Sequence, residues 1–391
     1  MDKDRFIRRI SERLKDTSFN VQLPNGKVMQ VGEREPSFSI RIHDRRTLSA
    51  IMHLDELSFA EAYINGKLDI VGELWHVLNC RDFFHDLHPL NYIWHRILPF
   101  FKGQLKVNRQ AIADHYEYDN DFFLKFMDSS RSYSQALFEH DDETLEAAQH
   151  RKLNFVVESC NLKPGDRVLD VGGGWGTFVE YAGKKGINVT ALTLSRQSER
   201  FLGNLIQQQQ LPCNVKFIDF YEYQSPEPYD AIVVLGVMEH LPNYRSVLKQ
   251  FHTLLRPGGK IYLDASSFRE KYSKPAFISN YVFPGNHRYF CLHDFLTQMA
   301  QTNLKLISIH NDCHSYYLTC REWAKRLESE REAITQQWGE RLYRIFHLYL
   351  WGSAHAFFNK NLDAYRLVLE LPADKSTINK TNHAYNTTAK N

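Results

Sequence analysis

Residues 167–178 constrain the fold of this chain more than any other stretch. Arg167-Val-Leu-Asp170-Val171 is a short apolar strand, and it runs directly into Gly172-Gly-Gly174-Trp-Gly176 and then Thr177-Phe178, where a helix is predicted to open. Glycines at alternate positions let a backbone press against a ligand with no Cβ between them. The helix that follows presents N–H groups without intrahelical partners. Strand, tight turn and helix together mark the cofactor corner of an open α/β sheet, where an anionic group can sit on the helix N-terminus. A dinucleotide site would show G-x-G-x-x-G with a ribose-binding acid on the next strand. Here the spacing is G-x-G-x-G, Asp170 precedes the first glycine, and the next predicted strand ends at Thr193 and Ser195.

The rest of the chain supports this architecture. Strands are predicted at 167–171, 188–193, 215–218, 231–236, 260–265 and 304–310, with helices between them, so a parallel doubly wound sheet is the economical fold. Pro257-Gly258-Gly259 is a strong turn signal before Lys260. Ahead of the sheet, residues 1–75 predict a small α+β domain: β alternation over residues 19–42 with Asn25-Gly26 as a hairpin turn, a helical stretch over 46–64, and a further turn and strand at 65–70. Residues 76–110 predict a helical connector in which Tyr92–Lys102 interleaves aromatic and basic residues, suiting either a membrane surface or an interdomain contact. Residues 111–372 hold the sheet and, within 322–358, a C-terminal helical pair with apolar residues at helical spacing. Residues 373–391, rich in Asn, Thr and Lys, predict a disordered tail.

Composition narrows the partners. Hydrophobic residues at 43% and charged residues at 24% suit a globular chain able to bury a large core. A net charge of +2 argues against nucleic acid. The six cysteines are scattered without C-x-x-C spacing, so neither a disulfide framework nor a metal site is expected, and a reducing cytosol is the default. Residues 1–15 are charged throughout, which predicts no signal peptide. No apolar stretch approaches the roughly 20 residues of a spanning helix, so any membrane contact is expected to be peripheral.

The acid, spacing and downstream hydroxyls of residues 167–195 resemble the first motifs of class I S-adenosylmethionine (SAM) methyltransferases, which places Asp170 and the glycines at the cofactor. In that fold Thr193, Ser195 and Gln197 would face the ribose hydroxyls, although Ser195 also reads as an ordinary N-cap and both can hold. Asp219 and Phe220 would accept from the adenine amine and pack its ring; otherwise Asp219 is a solvated loop acid. Glu239-His240 follows the fourth strand, where the transferred methyl is faced, though a salt-bridged pair at a helix start would look the same.

Further motifs carry a closer resemblance. His115-Tyr116, Tyr133-Ser134-Gln135-Ala136-Leu137-Phe138, Thr144–Gln149, Asp44-Arg45-Arg46, Ala62–Ile70, Glu239-His240 and Phe283-Pro284-Gly285 are similar, in order and over nearly the whole chain, to the cyclopropane-fatty-acid synthase family, which includes the mycolic acid cyclopropane synthases and methyltransferases. The resemblance implies a Rossmann-like class I SAM methyltransferase domain with a small N-terminal α+β domain and helical additions. It implies that Tyr133 and Ser134 hold the methionine end of SAM, with Gly172, Gly174 and Gly176 against its backbone. It also implies an enzyme acting on unsaturated phospholipid acyl chains, cytoplasmic and peripheral at the inner membrane surface, with a homodimer compatible. In the family the alkene takes the sulfonium methyl, and a bicarbonate held by a Cys, a Glu, a His and a Tyr removes a proton.

This chain departs at that centre. Gln135 stands in place of the Cys, Asp264 in place of the His, and Ser353 in place of a second family Cys; Glu239 remains, and Tyr316 is the candidate Tyr. A carboxylate beside Glu239 repels an anion, which puts bicarbonate in doubt. The expectation is that Gln135 and Asp264 replace it, with Asp264 or Glu239 as base and His240 alongside. Ring, methyl-branch and hydroxylated products stay open. Two other readings also remain: a small-molecule amine N-methyltransferase, and a SAM- or lipid-binding module without catalysis.

Overall fold

Val168, Leu169, Ile232 and Val233 have no exposed surface, which is the signature of parallel strands covered on both faces. They belong to the larger of two sheets in the computed structural model, which describes residues 17–51, 55–81, 120–270, 275–283 and 287–373. The predicted Tyr92–Lys102 segment, most of the connector, the His115-Tyr116 motif and the tail beyond residue 373 lie outside the described residues.

The N-terminal unit is a four-stranded sheet in the order β2-β1-β3-β4, built from β1 (Phe19–Gln22), β2 (Val28–Val31), β3 (Phe38–Ile42) and β4 (Leu68–Val71). Between β3 and β4 run α1 (Arg45–Ile51) and α2 (Glu56–Ile64), and α3 (Leu74–Leu78) follows. The Asp55 carboxylate accepts the Ser58 N–H at 2.8 Å and so caps the start of α2.

After α4 (Asn120–Leu124) and α5 (Leu145–Ser159) the βα alternation begins: β5 (Arg167–Val171), α6 (Thr177–Gly183), β6 (Asn188–Thr193), α7 (Arg196–Gln208), β7 (Asn214–Phe217), β8 (Tyr229–Leu235), α8 (Tyr244–Leu254) and β9 (Leu255–Ser267). Then come α9 (Leu292–Met299), β10 (Lys305–Asn311), α10 (Cys313–Ser329), α11 (Arg331–Trp338), α12 (Glu340–Phe358) and β11 (Asp363–Glu370). The strand order is β10-β11-β9-β8-β5-β6-β7. From β5 the chain winds outward through β6 and β7, then returns to β8 on the other flank. The crevice at the C-terminal ends of β5 and β8 is therefore the topological switch point, where open α/β sheets bind ligands.

Two expectations are corrected. The sheet is mixed, because β11, which is not among the predicted strands, enters antiparallel between β9 and β10, with Leu367, Val368 and Leu369 buried on both of its faces. The C-terminal helical pair is three helices, interrupted at Gly339, whose φ of +89° ends α11 in a backbone region that favours glycine. The last of them, α12, joins the two units. Tyr343, Phe346 and Leu350 share one buried apolar core with Phe59 and Ile64 of α2 and Val77 of α3.

Candidate active site

The turn after β5 is shaped by its glycines. Gly172, Gly174 and Gly176 have φ of +83°, +49° and +79°. A Cβ on Gly172 would stand 2.5 Å from Val237, and one on Gly176 would stand 2.7 Å from Leu205, so both serve close packing. A Cβ on Gly174 would meet nothing nearer than the Gly172 carbonyl at 3.8 Å, so Gly174 faces open space. No side chain caps the start of α6, which leaves its N-terminal end available to a ligand. Asp170, buried at the end of β5, has its carboxyl pushed up to about 7 by burial alone.

Around this turn the other predicted cofactor residues assemble. Thr193 Oγ1 accepts the Ser195 N–H at 3.1 Å and Ser195 Oγ accepts the Ser198 N–H at 3.2 Å, so Ser195 caps α7, Thr193 fixes the cap residue, and both hydroxyls keep their own protons to donate. Gln197 is exposed on the first turn of α7. Asp219 is buried, and its carboxylate accepts the Tyr221 N–H at 2.9 Å, so it is not a solvated loop acid. Phe220 packs on Phe251 at 5.6 Å and keeps only 5% of its surface exposed, so core packing claims most of the ring expected to lie on adenine. Ser134 Oγ accepts a hydrogen bond at 2.8 Å from the ammonium of Lys152, a fully buried lysine on α5. The cradle with its open Gly174 face, the uncapped helix start and the ring of hydroxyls and carboxylates fit a nucleoside carrying an amino-acid end.

Beyond Gly236, a cavity of about 70 Å³ is lined by Glu239, His240, Tyr133, Tyr316, Tyr349 and Trp323, among others. Glu239 is buried. Its Oε1 accepts from both the backbone N–H and the hydroxyl of Ser266, each at 2.7 Å, while Oε2 is buried with no partner among the described residues. Burial pushes this carboxyl up to about 7 against the Ser266 hydrogen bonds, and the charge of Asp264 adds to the rise. Tyr316 stacks on Phe357 at 4.5 Å, and burial raises its phenol well above the ordinary value. His240 sits edge-on to His287 at 5.3 Å.

Gln135 and Asp264, expected at the reacting centre, are both buried, and neither is among the residues that line this cavity. Asp264 has no exposed surface; its Oδ1 accepts the Gly236 N–H at 2.7 Å and its Oδ2 the Tyr262 hydroxyl at 3.3 Å. Burial raises its carboxyl to about 6, held down chiefly by the charge of Lys152. The amide of Gln135 donates to Asp312 at 2.9 Å, and Asp312 in turn pairs with Arg366 at 3.0 Å. Each side chain is held by its own partners, Asp264 by Gly236 and Tyr262 with the buried Lys152 charge favouring its ionised form, and Gln135 by Asp312. A bound bicarbonate does not fit here. The Ser266 donors are already committed to Glu239, whose buried carboxyl opposes a further anion when ionised.

Sequence reasoning missed Ser266 and Lys152. Ser266 follows Asp264 at the strand period of two, so alternation along β9 puts both on one face. Lys152 lies three residues after Gln149, whose amide donates to the Ser134 carbonyl at 3.0 Å, so one face of α5 supports residues 132–134.

A second, apolar cavity of about 260 Å³ adjoins the first. The two share Ile278, Tyr289, Tyr349, Ser353 and Leu362. The larger is walled by Phe59 and Ala60 of α2, Leu74 and Leu78 of α3, and Leu348 and Ala356 of α12. Glu56 and Arg81, paired at 2.9 Å, also line it.

Comparison with known proteins yields a consistent set. Residues 103–367 match the family model described as mycolic acid cyclopropane synthetase, and residues 6–81 match a domain of unknown function. The sphingolipid C9-methyltransferase of Candida albicans is 26% identical over 354 residues, covering 81% of this chain and 68% of that protein. The solved cyclopropane synthase MmaA2 from Mycobacterium tuberculosis superposes with a TM-score of 0.62 at 26% identity, covering 67% of this chain and 97% of that one. The mycolic acid cyclopropane synthase CmaA1, solved with SAH and CTAB, superposes with a TM-score of 0.62 at 25% identity, with the same coverage.

Proposed function

Since the chain belongs to the mycolic acid cyclopropane synthetase family of SAM-dependent methyltransferases, we propose that it delivers a methyl group to a double bond of an unsaturated lipid acyl chain. The observation that carries this reading is the apolar cavity of about 260 Å³ that adjoins the Glu239 cavity and shares five lining residues with it. An amine substrate needs no such annex, whereas the methylenes flanking a double bond do. The relative named for methylation of sphingolipid at C9 supports a lipid acceptor.

In this reading Tyr133, Ser134, Asp170, Thr193, Ser195, Gln197 and Asp219 would hold SAM with the open face of Gly174, while Gly172 and Gly176 shape the turn by close packing and Phe220 offers adenine only the edge that the core leaves free. SAM supplies an electrophilic methyl group when bound. The residues around the acceptor exclude water and orient the chain. The π electrons of the alkene would form the new carbon–carbon bond to that methyl as its bond to sulfur breaks, the bonding pair staying on sulfur, which leaves a positive charge on the neighbouring acceptor carbon. The rings of Tyr133, Tyr316, Tyr349 and Trp323 line the cavity and suit that cation, since an aromatic face attracts positive charge by about 0.5–2 kcal/mol. Glu239 Oε2 then accepts a proton. Taken from the added methyl, the freed electron pair closes a cyclopropane; taken from an adjacent carbon, it leaves a methyl-branched alkene. Fixed by Ser266 and poised near neutrality, Glu239 serves as the intrinsic base, with no step through bicarbonate. The same reading assigns the enzyme a peripheral position at the cytoplasmic surface of a membrane, where unsaturated acyl chains are met.

The test is SAM turnover on unsaturated phospholipid vesicles with mass analysis of the acyl chains, with bicarbonate stripped and re-added. A gain of one CH2 independent of bicarbonate is expected. Methylation of amines alone would overturn the lipid reading, and marked stimulation by bicarbonate would overturn Glu239 as the base.

A further inference from the structure

We propose that the N-terminal unit, which matches only a domain of unknown function, is the substrate-selecting half of the active site, its helices α2 and α3 forming the wall against which an acyl chain is measured. This rests on the lipid reading above and adds where selectivity resides.

The helical spacing supports it. On α2, Glu56, Phe59 and Ala60 fall at i, i+3 and i+4, a single face, and all three line the apolar cavity. On α3 and just beyond it, Leu74, Val77, Leu78 and Arg81 fall at i, i+3, i+4 and i+7 and line the same cavity. The opposite wall comes from α12, whose Tyr349 and Ser353 face both cavities. An acyl chain with its reacting carbons beside Glu239 therefore lays its neighbouring methylenes on Phe59 and Leu78.

The wall is held rigidly, as a measuring surface must be. The Tyr63 hydroxyl meets His347 Nδ1 at 2.8 Å, and the Tyr281 hydroxyl donates to Glu61 at 2.7 Å. Arg344 donates to the carbonyls of Tyr63 and Leu68, each at 3.0 Å, and to Asp69 at 2.7 Å. The Glu56–Arg81 pair supplies the polar edge of an otherwise apolar space, suited to the headgroup side of the lipid. The span from that pair to Glu239 then sets which double bond reaches the methyl group.

The full-length protein with Ala60→Phe, which fills the cavity from α2, tests the proposal through two readouts. The first is binding of the fluorescent polyene cis-parinaric acid, which needs no turnover. The second is methylation of vesicles carrying oleoyl or cis-vaccenoyl chains, which differ only in double-bond position. The variant is expected to bind the probe roughly tenfold or more weakly while its SAM affinity stays within about twofold of wild type. Phe59→Ala and Leu78→Ala, which widen the cavity, are expected to shift the oleoyl-to-vaccenoyl preference. Leu78→Trp narrows the same space from α3 and replaces Ala60→Phe should the latter not fold. Wild-type protein that fails to bind the probe, or narrowed variants that bind it as wild type does, would overturn the selecting wall. Probe binding lost on narrowing, with no lipid methylated by the wild type, would uphold the wall and overturn the lipid chemistry.

Discussion

Glu239 shows how one residue acquires a task. Burial opposes its ionised form and two Ser266 hydrogen bonds favour it, and the balance leaves the carboxyl at about 7 instead of its ordinary 4.5. A base must be ionised, so kcat/KM is expected to rise with pH through about 7 and level off above it. Glu239→Gln should lower kcat by roughly 10²–10⁴-fold and abolish that limb, while SAM affinity measured by calorimetry barely changes. Stability carries the opposite sign. A carboxyl whose folded pKa is raised binds more protons folded than unfolded between about 4.5 and 7, so its contribution to stability falls as pH rises through that window. Thermal melts should therefore show Glu239→Gln gaining on wild type between about pH 5 and about pH 8. A variant that loses ground over that range would mean Glu239 is stabilised by a partner the site does not contain.

At the scale of elements, the turn between β5 and α6 divides its glycines between packing and binding. Gly176 at φ +79° has Leu205 and Leu202 within 2.8 Å of where a Cβ would sit. Gly176→Ala should therefore cost about 1–3 kcal/mol in urea unfolding through overpacking. Gly174 at φ +49° faces open space, so Gly174→Ala carries only the backbone cost of a left-handed conformation, about 1 kcal/mol. Its main effect should be on SAM affinity, because the added methyl stands where the cofactor would lie. If calorimetry showed SAM affinity unchanged in Gly174→Ala, the open face of the turn would not be the cofactor's side. The turn after β8 works in a related way: Gly236, at φ +63°, is clasped by Asp264 and admits Ser134 closely, which brings the loop at 132–134 and the Glu239 turn together.

For the whole molecule, the deciding feature is that α12 belongs to both units. Arg344 on this helix bridges to Asp69, Tyr63 and Leu68 and is itself largely buried. Arg344→Gln should cost about 2 kcal/mol, the scale of charge-assisted hydrogen bonds lost together. Limited proteolysis should then cut first within the N-terminal unit while SAM binding persists. Equal protection of both units in this variant would show that apolar packing alone holds them. Neither unit encloses the acyl cavity by itself, so a change that loosens the junction is expected to impair lipid use before it impairs cofactor binding.

Much of this was legible in the sequence, for identifiable reasons. Local patterns report local structure: the glycine turn, the strand runs and the Thr193–Ser195 cap each depend on neighbours in the chain, and each appears where the sequence predicts it. Family resemblance extended that reading to SAM and to Glu239. What no local pattern contained was the direction of Gln135 and Asp264, because their partners Asp312, Arg366 and Lys152 come from β11, α5 and the start of α10, up to 177 residues away for Gln135. The same holds for the apolar cavity, assembled from α2, α3 and α12 across two units. The sequence by itself determined an α/β domain of the SAM-methyltransferase kind with Glu239 just beyond its fourth strand. Only the tertiary structure decided which carboxylate faces the cavity and what shares it, since buried charges choose their partners by distance in space and not along the chain.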